Sequence, residues 1–295
     1  MKTRSLFIFC GLSLAAIFTS CKKDATSTST VNGNEAISEH SLGAILDPVA
    51  YMNTPQIDFN VVRARFAQNG YTIPRALTSS IILNHPAIGD QGNTGTCVSW
   101  STGWALSGTL NNEFPLAGVS NPRSPWWVYQ INHTATRDRR DDGMIVTAGL
   151  DIIKKNGVPT YALDSTLGVF YKFTPTTAQN TSAKSDTISS YAAINNLTDL
   201  KTALSLHLPV EMGLNWYTSF DTAFSYHTIV TRIAGTIRGG HAVCIVGYDD
   251  SKNAVLIQNS WGTSGGDQAN PGCMWFDYGV LFNSKLGYQY YSAMR

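Results

Sequence analysis

Three short stretches carry residue types that can perform acyl transfer. Residues 90–101 read DQGNTGTCVSWS, which places Cys97 after a Gly-rich turn and at the head of an aromatic-rich segment. A free thiol has a pKa near ~8.5 and is mostly protonated at neutral pH. The first turn of a helix puts its anion at the positive end of the helix dipole, and a neighbouring imidazolium lowers the pKa further. The expectation is a Cys97 thiol shifted toward thiolate. The base is His241 in RGGHAVCIVGYDD, where two preceding glycines let backbone approach closely. Asn259 in IQNSWG can tie the second ring nitrogen of His241 through its amide oxygen, fixing tautomer and ring plane. Trp261 can cover the pair and keep water out. Gln91 lies six positions before Cys97, across a turn containing Gly92 and Gly95. Its side-chain NH2 can share oxyanion stabilisation with the Cys97 backbone N–H. A metal reading would pair His241 with Cys244. In a β-rich run, residues three apart point to opposite faces, and the chain has no CxxC pair. No metal and no cofactor is expected.

These groups need a helix for the nucleophile and a paired sheet for the base. Residues 97–110 read as a helix, with Trp100, Trp104 and Ser107/Gly108 at helical spacing. Gly103 and Gly108 each weaken it by roughly 1 kcal/mol, so packing must hold it. Residues 147–156 read as a second helix with Ala148, Ile152 and Ile153 inward and Gly157 as its stop. Thr198 is expected to cap a third, through Leu200, Ala203 and Leu204, which Pro209 ends. Strands are expected at 210–214, 241–248, 254–258 and 274–276. The turn at 249–253 would pair the His241 strand with the strand that Asn259 ends, bringing the two side chains together. Helices precede strands, an α+β arrangement.

The chain has 295 residues, 43% of them hydrophobic and 14% charged, enough for a sizeable core. A formal net charge of +1 gives no electrostatic reason to expect a nucleic-acid partner. Lys2 and Arg4 followed by an apolar run from Leu6 to Phe18 read as an export signal too short to span a bilayer. Thr19-Ser20-Cys21 resembles a bacterial lipoprotein signal, and Lys22-Lys23-Asp24 resembles the lipoprotein starts of Bacteroidetes-type bacteria. Residues 1–20 are therefore expected to be removed and Cys21 lipidated. The protein would then sit on the outer membrane, facing the periplasm or the surface, as a monomer. Residues 21–72 read as a tether followed by an N-terminal extension or short pro-segment, with a short helix over 59–66. Cys97, Cys244 and Cys273 remain for the folded part. An odd number leaves at least one thiol free, and a Cys244–Cys273 disulfide stays open.

DQGNTGTCVSW, GGHAV and QNSWG together resemble the three signature blocks of the papain-like cysteine peptidases, in the family order. The resemblance covers 73–295. It implies a papain-like two-subdomain fold, helix-rich over about 86–190 and strand-rich and barrel-like over about 191–295, with the active site in the cleft between. It implies Cys97 as nucleophile, His241 as general base and acid, Asn259 as its orienting group and Gln91 as oxyanion donor. The stretch DDGMIVTAGLDIIKKNGV resembles the family's substrate strand and following helix, with Gly143 as a backbone contact and Trp261 as a shield. NNLTDLKTALSLHLPVEMGLN resembles the family's segment entering the second subdomain. The sequence departs from the family pattern at Thr94, where a disulfide cysteine is usual, at Val98, where tryptophan often stands, and at Gly240, where many relatives carry an acidic or amide residue. The block after SWG is replaced by 263–266 and an insertion-like GDQANPGC, and no long helical pro-domain pattern is visible. The activity implied is hydrolysis of peptide bonds in a peptide or protein substrate. A catalytically inactive peptide-binding protein and a thiol amidase or transferase are the alternatives.

Overall fold

The computed structural model describes residues 40–71 and 77–295; the signal segment, Cys21 and the tether up to residue 39 lie outside the described residues. The strands are β1 (Ala44–Ile45), β2 (Ser80–Ile82), β3 (Met144–Ile145), β4 (Ser190–Ala193), β5 (Val210–Tyr217), β6 (Ile237–Asp249), β7 (Ala254–Gln258), β8 (Cys273–Asp277) and β9 (Gln289–Met294). Seven of them form one sheet in the order β4-β9-β5-β6-β7-β8, with β2 added to β6. β5 and β6 are its centre. Both read as near-continuous apolar runs because helices and loops cover both faces, so neither alternates cleanly. The expected 249–253 turn joins β6 to β7, which pair antiparallel.

The helices lie mostly before the sheet in sequence. The Cys97 segment runs as an α-turn Cys97–Ser99, a π-helical stretch Trp100–Leu106 and an α-helix Ser107–Glu113. A Cβ on Gly103 would lie 3.0 Å from Val128 and 3.1 Å from the Ser124 carbonyl, so glycine permits the close crossing of helix Pro125–Thr136. That helix starts with Ser124 accepting from Trp127 N, followed by proline. Helix Val146–Lys155 buries Leu150, Ile152 and Ile153 and stops before Gly157, whose φ is 73°. The third expected helix spans Leu197–Ser205, but Asn196 caps it rather than Thr198. Asn196 is extended and its Oδ1 accepts from Asp199 N at 2.9 Å, whereas Thr198 is already inside the first turn. This is the α+β papain-like arrangement, helices on one side and the sheet on the other.

The described part of the segment before the domain, 40–71, is folded onto the sheet. Asp47 caps helix Pro48–Asn53, and Asp58 caps helix Phe59–Gln68, which buries Val62 and Phe66. Ile57 N donates to Ala193 O and Tyr51 Oη to Ile194 O, so the segment is stitched to the edge of the sheet. Among the described residues Cys97, Cys244 and Cys273 are free thiols. Cys244 and Cys273 both pair with Gln258 of β7, which lies between them. Two strand spacings of roughly 9–10 Å exceed what a disulfide can bridge.

Candidate active site

Cys97, His241, Asn259 and Gln91 come from three separate stretches and meet beneath Trp261. Cys97 opens the nucleophile helix and is fully buried. His241 sits on β6, also fully buried, with the backbone of its neighbour Ala242 against the Cys97 sulfur. His241 Nε2 is 2.9 Å from Asn259 Oδ1. That oxygen also accepts from Ser260 N at 2.8 Å, so the amide is oriented oxygen-inward and the imidazole proton belongs on Nε2. The other nitrogen, Nδ1, is buried and has no hydrogen-bond partner among the described residues, which leaves its lone pair free. Trp261 stacks on the ring of His241, centroids 4.8 Å apart and planes at 26°. Trp216 packs edge-on against both rings, 4.8 Å from His241 and 4.9 Å from Trp261. These rings exclude water from the His241–Asn259 bond.

Gln91 is held from both ends. Its backbone N donates to Ser260 O, and its Oε1 accepts from Ser260 Oγ at 2.6 Å. Its Nε2 donates to Thr94 O at 2.8 Å. Thr94, at the position where the papain-like pattern usually carries a disulfide cysteine, bonds Gln91 O and Thr96 Oγ1 through its hydroxyl. Hydrogen bonds thus tie the turn that a covalent bridge would otherwise hold.

Residues 40–46 run through this site as a strap. The His40 ring stacks on Trp261 at 4.6 Å, opposite His241. The Ser41 carbonyl accepts from Gln91 Nε2 at 3.2 Å. Gly43 lies beside the Cys97 sulfur, donates to Gly240 O and accepts from Met144 N at 2.9 Å. β1 then pairs parallel with β3. Gly143 has a φ of 97°, and a Cβ there would lie 2.7 Å from Gly43 Cα. A Cβ on Gly240 would lie 3.0 Å from the Ala44 carbonyl carbon. Glycine at 143 and 240 is what lets the strap sit this deep. Arg238 clamps its start, donating to His40 O at 2.7 Å while paired with Asp221 at 2.6 Å.

The strap reverses the expected electrostatics. Burial pushes the Cys97 thiol up to about 12, against the weaker pull of backbone groups at Ala242, Gly43 and Val98. Burial pushes His241 down to about 3, with the Asn259 bond opposing. Helix position alone does not produce a thiolate when desolvation outweighs it. Both groups are neutral at pH 7 in this conformation. Trp216, His40 and Ser260 belong to the site and were not read from the sequence. Only Ser260 carried a signal, being next to Asn259.

A family model for papain family cysteine proteases matches residues 82–271. Among solved structures, the chain is similar to xylellain, a cysteine protease from Xylella fastidiosa, at 21% identity. That match covers 90% of this chain and 99% of that one, with a TM-score of 0.67. It is also similar to a procathepsin B from Trypanosoma congolense, at 15% identity over 86% of each chain and a TM-score of 0.60. Bromelain from Ananas comosus matches at 19% identity, over 74% of this chain and 99% of that one, with a TM-score of 0.55. No curated protein matches the chain.

Proposed function

Because the chain belongs to the papain family of cysteine proteases, we propose that it hydrolyses peptide bonds through Cys97 and His241 and that residues 40–46 hold it latent. The observation that carries this reading is the tied His241–Asn259 pair, packed under Trp261 beside Cys97. Once the strap leaves, water and substrate re-enter and the burial that keeps both groups neutral is relieved. The proton then moves from Sγ to His241 Nδ1. The thiolate forms an S–C bond to the scissile carbonyl, and Gln91 Nε2 and Cys97 N–H receive the oxyanion. In the strapped chain Gln91 Nε2 instead holds the Ser41 carbonyl. His241 returns the proton to the leaving amine as the C–N bond breaks, and water hydrolyses the thioester with His241 as base. Gly143 and Trp261 border the substrate path, at the places where the strap now lies. No metal or cofactor takes part.

The test is hydrolysis of a fluorogenic peptide mixture by the Gly43→Phe chain, whose added side chain would meet the Gly95 backbone and displace the strap, and by the same chain carrying Cys97→Ala. Loss of turnover in a Cys97→Ala protein of unchanged thermal stability is expected. Undiminished hydrolysis by that variant would sink the mechanism. Binding of peptides with no turnover by a strap-free chain would favour the inactive binder, and transfer to an added amine exceeding hydrolysis would favour a transferase. We further propose that the protein is exported and held at the outer membrane by lipid on Cys21, acting as a monomer. Among the described residues no helix is long and apolar enough to cross a membrane. Cys21→Ala should move the protein from the membrane to the soluble fraction.

A further inference from the structure

Leu46 is the strap residue that enters a pocket in the sheet. Gly213 on β5 makes room for it: a Cβ there would lie 3.1 Å from Leu46 Cδ2 and 2.8 Å from Val146 Cγ2. Gly213 pairs across the ladder with Gln289 on β9, whose Cβ is 3.8 Å from the same point. Gly287 forms another wall, its Cβ position 3.5 Å from Leu46 Cδ1. Gln289 is 1% exposed, and neither its Oε1 nor its Nε2 has a hydrogen-bond partner among the described residues.

A buried amide with both ends unpaired is costly, and an aliphatic occupant such as Leu46 repairs neither end. An ammonium can only donate, so it would leave Nε2 unpaired. A carboxylate can only accept, so it would leave Oε1 unpaired. A second amide supplies one donor and one acceptor in the matching geometry. We propose that this pocket takes an amide side chain of the substrate, glutamine or asparagine, and that Gln289 is its specificity-determining residue. The proposal rests on the peptidase reading above. The titratable group on the same strand face is Glu211, two residues along β5 and bonded by Ser101 Oγ. Selection of lysine or arginine would implicate Glu211 and overturn the assignment to Gln289.

The strap allows a test that needs no turnover. In the full chain, Leu46→Gln is combined with Gln289→Leu in a thermal double-mutant cycle, with Leu46→Met as the control for shape. Leu46→Gln should leave Tm unchanged or raise it in the parent chain. On the Gln289→Leu background it should lower Tm by about 2–4 °C, the shift one hydrogen-bonding site is worth in a domain of this size. Leu46→Met should behave alike on both backgrounds. An equal loss for Leu46→Gln on both would refute the proposal. The second readout is cleavage of a peptide library by the full-length Gly43→Phe chain. One position on the acyl side of the cut should favour glutamine and asparagine over leucine by roughly tenfold, and Gln289→Leu should invert that preference. An aliphatic or basic preference untouched by Gln289→Leu would overturn it. A chain that cleaves nothing refutes the peptidase reading, and the thermal cycle still decides the pocket.

Discussion

Gly43→Phe should unmask Cys97. A Cβ on Gly43 would lie 2.5 Å from the Gly95 carbonyl carbon and 2.7 Å from Gly95 Cα, and closer still to the Gly95 oxygen. All three are backbone atoms of the turn that Gln91 and Thr94 tie down, so the neighbour cannot give way by a side-chain rotation. The strap must leave. The size of the effect follows from the thiol. Burial holds Cys97 at about 12. A hydrated thiol titrates near ~8.5, so at pH 7 the thiolate fraction rises by about three orders of magnitude on exposure, before any help from His241. Iodoacetamide reacts with the thiolate, and peptide mapping by mass spectrometry resolves each cysteine. Cys244 and Cys273 are internal controls, buried in the sheet and also pushed up, Cys273 to about 12. The expected result is fast alkylation of Cys97 alone in a folded protein. A Cys97 rate equal to that of the parent chain, with circular dichroism and Tm intact, would refute the idea that the strap masks the nucleophile.

Three further outcomes follow from the geometry. His241→Ala in the opened chain should lower kcat by about 10²–10⁴-fold, the worth of general acid–base catalysis, and Asn259→Ala by less, because it only frees the ring; equal losses would mean the orientation of His241 is everything. His207 is raised chiefly by its bond to Glu113 at 2.5 Å, and that bond pulls Glu113 down against its burial. The His207 contribution is present below its unfolded pKa and lost as pH rises through the folded one, while the Glu113 contribution is lost as pH falls through its lowered value. The Tm deficit of His207→Asn, which tolerates the φ of 62°, should therefore be larger at pH 5.5 than at pH 9, and a pH-independent deficit would exclude the ion pair. Burial raises Glu211 well above the usual carboxylate range against its single Ser101 bond, so its stabilising protonated form is lost as pH rises. Glu211→Gln keeps the acceptor without the charge and should raise Tm at pH 7.5 more than at pH 4.5; the reverse order would mean the carboxylate is paired.

The grouping of the candidate site was legible because it is written in residue types at short spacing. Gln91 and Cys97 span one turn, His241 opens an apolar strand, and Asn259 closes the strand that a five-residue turn folds against it. Local spacing and one antiparallel hairpin are enough to bring His241 and Asn259 together. The cap at Asn196 was misplaced by two residues because Thr198 and Asn196 are both competent caps, and only the extended backbone at Asn196 chooses between them. The helix Phe59–Gln68 was visible, its docking was not, since Val62 and Phe66 find their partners only in the folded domain.

What the chain determines by itself is therefore which residues the fold gathers, Cys97, His241, Asn259 and Gln91, and the α+β order of elements. Tertiary structure alone decided whether that machinery is open. Residues 40–46 carry no periodicity that marks them, and every contact that holds them, from the parallel pairing with β3 to the Arg238 bond at His40, is made with residues far away in the chain. Gly143 and Gly240 read from sequence as places of close backbone approach, but only the fold shows that the backbone approaching them belongs to Gly43 and Ala44. The direction of the Cys97 shift reversed for the same reason. Helix dipole and partner imidazole can be inferred from sequence neighbours, but desolvation depends on what covers the sulfur, and that is set by contacts between segments far apart in the chain.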